Sequence, residues 1–136
     1  MRLAVDTNVL ISALMSKGGT FEAIVLGDLD LSVPEHSIGE IERNKGVLKE
    51  RMGVSEEEFR LALDIILSHV MVVPREEYAA MEPRAKEISP DKKDFPFFAL
   101  ALAKRMPLWT NEKRLKKQDA VEVYGTKEVL GLLGMI

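Results

Sequence analysis

The feature that most constrains this chain is a set of short, mainly apolar runs, each cut off abruptly. Arg2–Val5 ends at Asp6, Leu31–Val33 at Pro34, Val70–Val73 at Pro74, and Met106–Trp109 at Thr110 and Asn111. Runs this short and this uniformly apolar suit strands covered on both faces, as in a parallel sheet. The segments between them carry helical signals. Val9–Met15 reads as a short apolar helix, Ser16–Gly19 as a break, and Thr20 as the cap of a helix through Leu26 that Gly27 stops. Strands alternating with helices mean βαβ units, hence an α/β domain with a parallel sheet of four to five strands and helices on both faces. The fifth strand is expected at Val121–Val123.

The remaining elements follow the same logic. A helix is expected from Ser37 to about Arg51, weakened at Gly46, where it can divide in two. Ser55 and Glu58 have capping-box spacing ahead of Phe59, Leu61, Leu63, Ile65, Ile66 and Leu67. Arg75–Ser89 reads as one or two short polar helices around Pro83, and Pro90–Lys93 as a polar loop. Asp94–Arg105 reads as a helix that tolerates Pro96 in its first turn and is apolar nearly all round, so deeply buried. Thr126 can cap a last helix over Lys127–Leu133. No repeat or linker interrupts residues 1–136, which are expected to form one domain.

Composition narrows the chemistry. With no cysteine and two histidines, a metal here would be held by oxygen or imidazole, never by thiolate. No run reaches the length of a membrane span and no signal-peptide layout opens the chain, so a cytoplasmic protein is expected. The formal charge of −3 does not advertise nucleic-acid binding. Setting four acids aside for one site brings the balance near neutral.

Those four acids are Asp6, Glu40, Asp94 and Glu112. In a doubly wound fold the carboxyl ends of the strands and the starts of the following helices share one rim. Asp6 ends the first strand, Glu40 opens the helix after the second, Asp94 opens the helix before the fourth, and Glu112 follows the fourth. Each has a plainer account. Asp6 or Thr7 can cap a helix, Ser37 and Glu40 have capping-box spacing, Asp94 can favour a helix dipole, and Glu112 can be a solvated surface residue. Together, though, clustered carboxylates repel one another unless a cation sits among them, and hard oxygen donors suit Mg²⁺ or Mn²⁺.

The residues resemble the PIN-domain nucleases. The resemblance rests on Asp6, Thr7 and Asn8 after an apolar strand and on Glu40 followed by an aliphatic residue. It continues with Asp94 ahead of Ala99–Leu102, and with Leu108–Asn111 closing the fourth strand. It implies an α/β/α three-layer sandwich and divalent-metal-dependent cleavage of RNA. It also implies a VapC-like role as the toxin of a toxin–antitoxin pair, often as a homodimer. On that resemblance Asp6, Glu40 and Asp94 match the family's metal-binding acids, Thr110 its hydroxyl beside the site, and Asn8 a polar residue supporting the first acid. Where the family commonly has an aspartate after the fourth strand, this chain has Glu112.

The expected activity is therefore metal-assisted hydrolysis of RNA phosphodiester bonds, with Thr110 or Asn111 steadying a ligand. Lys92 and Lys93 on one side and Lys113 and Arg114 on the other are candidates for phosphate contacts, or simply a solvated face. His36 is either a contact near Glu40 or a lone surface histidine. Two other readings stand beside the nuclease: a catalytically degenerate PIN domain that binds RNA or scaffolds, and a phospho-acceptor receiver domain. The receiver wants paired acids after the first strand and a lysine after the last, and this chain offers neither.

Overall fold

The computed structural model describes residues 1–16 and 18–136; of the expected break at Ser16–Gly19, Lys17 lies outside the described residues. Five strands form one all-parallel sheet: β1 (Arg2–Val5), β2 (Asp30–Pro34), β3 (Val70–Val73), β4 (Leu108–Trp109) and β5 (Val123–Tyr124). Their order across the sheet is β3-β2-β1-β4-β5. The chain thus builds outward from β1 in one direction and then returns to its other side. That makes the gap between the carboxyl ends of β1 and β4 the topological switch point, where open α/β sheets bind ligands.

Side chains alternate across β1 as the two-residue strand period requires. Leu3 and Val5 enter one core with residues of α1 (Thr7–Met15), α2 (Gly19–Leu26), α3 (His36–Arg43), α4 (Lys45–Met52), α5 (Glu56–Leu67) and α8 (Thr126–Leu132). Ala4 enters the other, with residues of α6 (Glu82–Ile88) and α7 (Phe95–Lys104). The result is the three-layer α/β/α sandwich. Residues Pro96–Ala101 of α7 are all buried, as its all-round apolar pattern implies.

Several boundaries depart from the sequence reading for identifiable reasons. The first helix starts at Thr7, two residues earlier than expected, because Asp6 itself caps it by accepting from Asn8 N at 3.1 Å. Thr20 is not the cap: it lies inside α2, which begins at Gly19 with Gly18 as its N-cap residue. The long helix after β2 breaks at Asn44 and not at Gly46, and Asn44 Nδ2 donates to the Glu40 carbonyl at 2.8 Å. The Ser55–Glu58 capping box forms in both directions, at 3.1 and 3.0 Å. Along α5, Phe59, Leu63 and Ile66 make the buried stripe, while Leu61 and Ile65 face solvent. The fifth strand is shifted to Val123–Tyr124, and Thr126 is the first residue of α8, its hydroxyl accepting from the Trp109 indole at 3.0 Å.

Candidate active site

The rim at the switch point is built from four connections. Asp6 leaves the end of β1 into α1, and its side chain is only 2% exposed. A buried carboxylate needs donors, and Asp6 has two: Thr110 Oγ1, from the end of β4, donates to Oδ2 at 2.7 Å, and Asn8 N donates to Oδ1. The contact with Thr110 spans the switch point, tying β1 to β4. Thr110 Oγ1 also accepts from Glu112 N at 3.1 Å, fixing the turn that carries Glu112.

Glu40 stands in α3, with Oε1 2.6 Å from Thr7 Oγ1, which lies 2.7 Å from Ser37 Oγ. A hydroxyl has one proton, and the ionised carboxylate can only accept; Thr7 therefore donates to Glu40 and Ser37 to Thr7. Ser37 and Thr7 are both buried, so this relay holds Glu40 from inside the protein. The capping-box reading of Ser37 and Glu40 is overturned: the residue before α3 is Glu35, and no side chain caps that helix. His36 Nε2 is 3.4 Å from the same Glu40 oxygen, and its ring meets Phe97 edge-on at 6.1 Å.

Asp94 closes a 3-10 turn over Lys92–Asp94, one residue before α7 starts, and its side chain caps no N–H. The turn is organised by Asp91, whose Oδ1 accepts from Lys93 N and whose carbonyl accepts from Asp94 N. Glu112 leads into a 3-10 turn over Lys113–Lys116. Arg114 bridges these two turns, with Nε 3.2 Å from Glu112 Oε1 and Nη2 2.9 Å from Asp91 Oδ2.

The acids feel one another. Asp6 is raised above the usual carboxylate range by burial, against the pull of Thr110 and the Asn8 N–H, and the charges of Glu40 and Glu112 push it further. Asp94 is pushed up to about 6, first by burial and then by Asp6, Asp91, Glu112 and Glu40. Four chain segments thus bring their carboxylates into one field of mutual repulsion. Among the described residues, no three carboxylates or histidines are gathered tightly enough to hold a metal ion as they stand. The donor set is nevertheless all oxygen, with Asp6 and Asp94 made reluctant to ionise first by burial and then by the neighbouring acids. That chemistry fits Mg²⁺ or Mn²⁺.

The other expected residues divide. Asn8 serves Asp6 through its backbone, while its side chain is exposed. Asn111 points away, with Oδ1 accepting from Thr126 N at 2.8 Å, so it secures α8, and of these two residues it is Thr110 that steadies an acid. Lys92, Lys93, Lys113 and Arg114 are exposed beside the rim, with Arg114 already engaged by two acids. The sequence reading missed Thr7 and Ser37 as site residues and Asp91 as the anchor of the Asp94 turn. Thr7 had a signal: a hydroxyl directly after a strand-ending acid. For the pairing of Asp91 with Arg114, 23 residues on, there was none.

The PIN-domain family profile matches residues 4–130, from the middle of β1 into α8. The chain belongs to the PIN-domain family. This PIN domain is also similar in fold to VapBC2 from Rickettsia felis, solved bound to a DNA fragment from its promoter. The match has a TM-score of 0.66 and 18% identity, and covers 92% of this chain and 98% of the other. A toxin–antitoxin complex from Klebsiella pneumoniae matches at the same TM-score and identity, over 91% of this chain and 97% of the other. No curated protein matches the chain. The family supplies the context for the rim, and the PIN domain's own residues supply its chemistry.

Proposed function

We propose that this PIN domain is an Mg²⁺- or Mn²⁺-dependent endoribonuclease that hydrolyses RNA phosphodiester bonds, acting as the toxin of a toxin–antitoxin pair. The observation that carries the reading is the placement of Asp6, Glu40, Asp94 and Glu112 around the switch point of the sheet, where burial and the neighbouring acids raise Asp6 and Asp94. Clustered acids in that position repel one another unless a cation is brought to them. The family, typically one of nucleases, points the same way.

Asp6 and Asp94 would hold the ion, with Glu112 beside them. Bound there, the ion supplies activation of water and neutralisation of charge on the phosphate. Thr110 keeps Asp6 oriented and lowers the cost of its ionisation. The Ser37–Thr7 relay fixes one oxygen of Glu40, and the other is left to orient the attacking water. Lys92, Lys93 and Lys113 flank the acids from both sides and are assigned to the RNA backbone, with Arg114 assisting from its pairing with Asp91 and Glu112.

A protein partner belongs to the same reading, since both structural neighbours were solved as toxin–antitoxin complexes. We extend it to a homodimer acting in the cytoplasm; among the described residues, no single helix is long and apolar enough to cross a membrane. A competing reading is a catalytically silent RNA-binding PIN domain, favoured by Glu112 in place of an aspartate and by its engagement with Arg114.

Cleavage of end-labelled single-stranded and hairpin RNAs in Mg²⁺, Mn²⁺ or EDTA, with Asp6→Asn run alongside, separates the two. Metal-dependent cleavage lost in the variant is the expected result. RNA binding with no cleavage in any metal would leave the silent module.

A further inference from the structure

Next to the acid rim lies a pocket of about 360 Å³ that the mechanism does not use. It is lined by Glu35, His36, Arg75, Tyr78, Glu82, Phe95 and Pro96. Its position follows from the chain: Phe95 and Pro96 come directly after Asp94, and His36 stands one helical turn before Glu40 with Nε2 3.4 Å from that carboxylate. The pocket and the candidate active site therefore share a wall.

The lining has a definite chemistry. Phe95, Pro96 and the His36 ring offer flat or apolar surface, and Tyr78, only 2% exposed, lies beside them. The His36 ring is oriented by its edge-on contact with Phe97. Glu82 is a carboxylate whose side chain is only 12% exposed, held by Arg75, and Glu35 accepts from Arg75 N. A carboxylate as buried as Glu82 is uncommon, and Glu82 and Glu35 add acceptors beside Arg75 to a pocket whose other walls are rings. Arg75 is 66% exposed at the outer side, where a phosphate would pass. The volume is at the small end for ligand sites; it takes one planar base and not a duplex.

We propose that this pocket receives a single unpaired nucleobase of the RNA, one carrying an exocyclic amino group, and so sets which residue lies beside the phosphate that is cut. The proposal rests on the RNA reading of the rim. Single-stranded RNA is read by splaying bases onto aromatic side chains and hydrogen-bonding their edges. Here the rings provide the stacking surface, and the Glu35 and Glu82 carboxylates accept from the amino group. Adenine, cytosine and guanine each bring such a group; uracil presents carbonyl oxygens on both sides of its one N–H and is repelled by the acids.

The test uses the full chain carrying Asp6→Asn, so that RNA stays whole, with and without Phe95→Leu, which keeps an apolar side chain and removes the ring. Binding of short single-stranded oligoadenylate, oligocytidylate and oligouridylate is measured across a salt series. Losing a base–aromatic stack is expected to weaken binding of the first two about fivefold or more. The slope of affinity against salt should stay unchanged, because no phosphate contact is lost. Oligouridylate should bind more weakly from the start and respond little. His36→Ala, at a partly exposed position, supplies a second variant should Phe95→Leu unfold. Equal binding of all three RNAs, or variants that bind as the parent does, would overturn the pocket while leaving the nuclease reading intact. If no RNA binds the Asp6→Asn chain, metal-dependent cleavage by the native chain decides: cleavage confines the failure to the pocket, and its absence removes both.

Discussion

Replacing Asp94 by Asn tests whether the acids converge. The carboxyl of Asp94 is raised from 3.8 to about 6 in the folded chain, by burial and by Asp6, Asp91, Glu112 and Glu40. At about 1.4 kcal/mol for each pKa unit that is ~3 kcal/mol at face value. The side chain is only half-buried, and solvent screening reduces this to about 1–1.5 kcal/mol. Asp94 caps no helix N–H, so Asn removes charge without removing a helix cap. The sign depends on pH. Below about pH 4 the carboxyl is protonated in both folded and unfolded chains, and the folded state suffers no penalty. As pH rises through 6 the folded state must ionise a group that resists it, and that advantage is lost. Without metal, Asp94→Asn should therefore be more stable than the native chain at pH 7.5, by about 1–1.5 kcal/mol or roughly 5 °C in Tm. At pH 4.5 the gain should shrink to a fraction of that. Urea titrations in EDTA at the two pH values measure it. Adding Mn²⁺ at pH 7.5 should then stabilise the native chain and leave the variant nearly unmoved, reversing their order. A gain equal at both pH values, or a loss at pH 7.5, would refute the electrostatic account of the rim.

Two further predictions concern how the frame is held. Ser55→Ala removes half of a formed capping box and should cost about 1 kcal/mol in urea unfolding, whereas Thr20→Ala, inside α2 and not at its cap, should change stability by less than about 0.5 kcal/mol. Thr110→Val strips a buried donor from Asp6 and an acceptor from Glu112 N; a loss of about 1–3 kcal/mol is expected without metal, with Thr110→Ser restoring most of it.

Why the frame was readable is plain from particular elements. The uniformly apolar Leu108–Trp109 lies in a strand buried on both faces, and α7, apolar all round, had to lie in the interior, whereas Val70–Val73, read the same way, became the edge strand and leaves Met71 and Val72 exposed. The Ser55–Glu58 box was readable because its atoms are three residues apart and meet through local geometry. Thr20 misled because a good cap residue competes with whatever backbone the preceding glycines adopt, and Gly18 won.

The sequence by itself determined that acids would end strands and open helices on one rim, because strand direction and helix connection leave no other edge for them. It also determined that any ion there would meet oxygen or imidazole, since the chain has no thiol. Only the tertiary structure decided the partners. Thr110 reaches Asp6 across 104 residues because β4 returns beside β1. Ser37 turns inward to Thr7 because α3 packs against α1. Arg114 closes on Asp91 because two separate turns happen to face each other. Pattern in a sequence reports periodicity and direction along the chain. Which side chains meet across the sheet depends on strand order and on the angle at which helices dock, and those are properties of the folded whole.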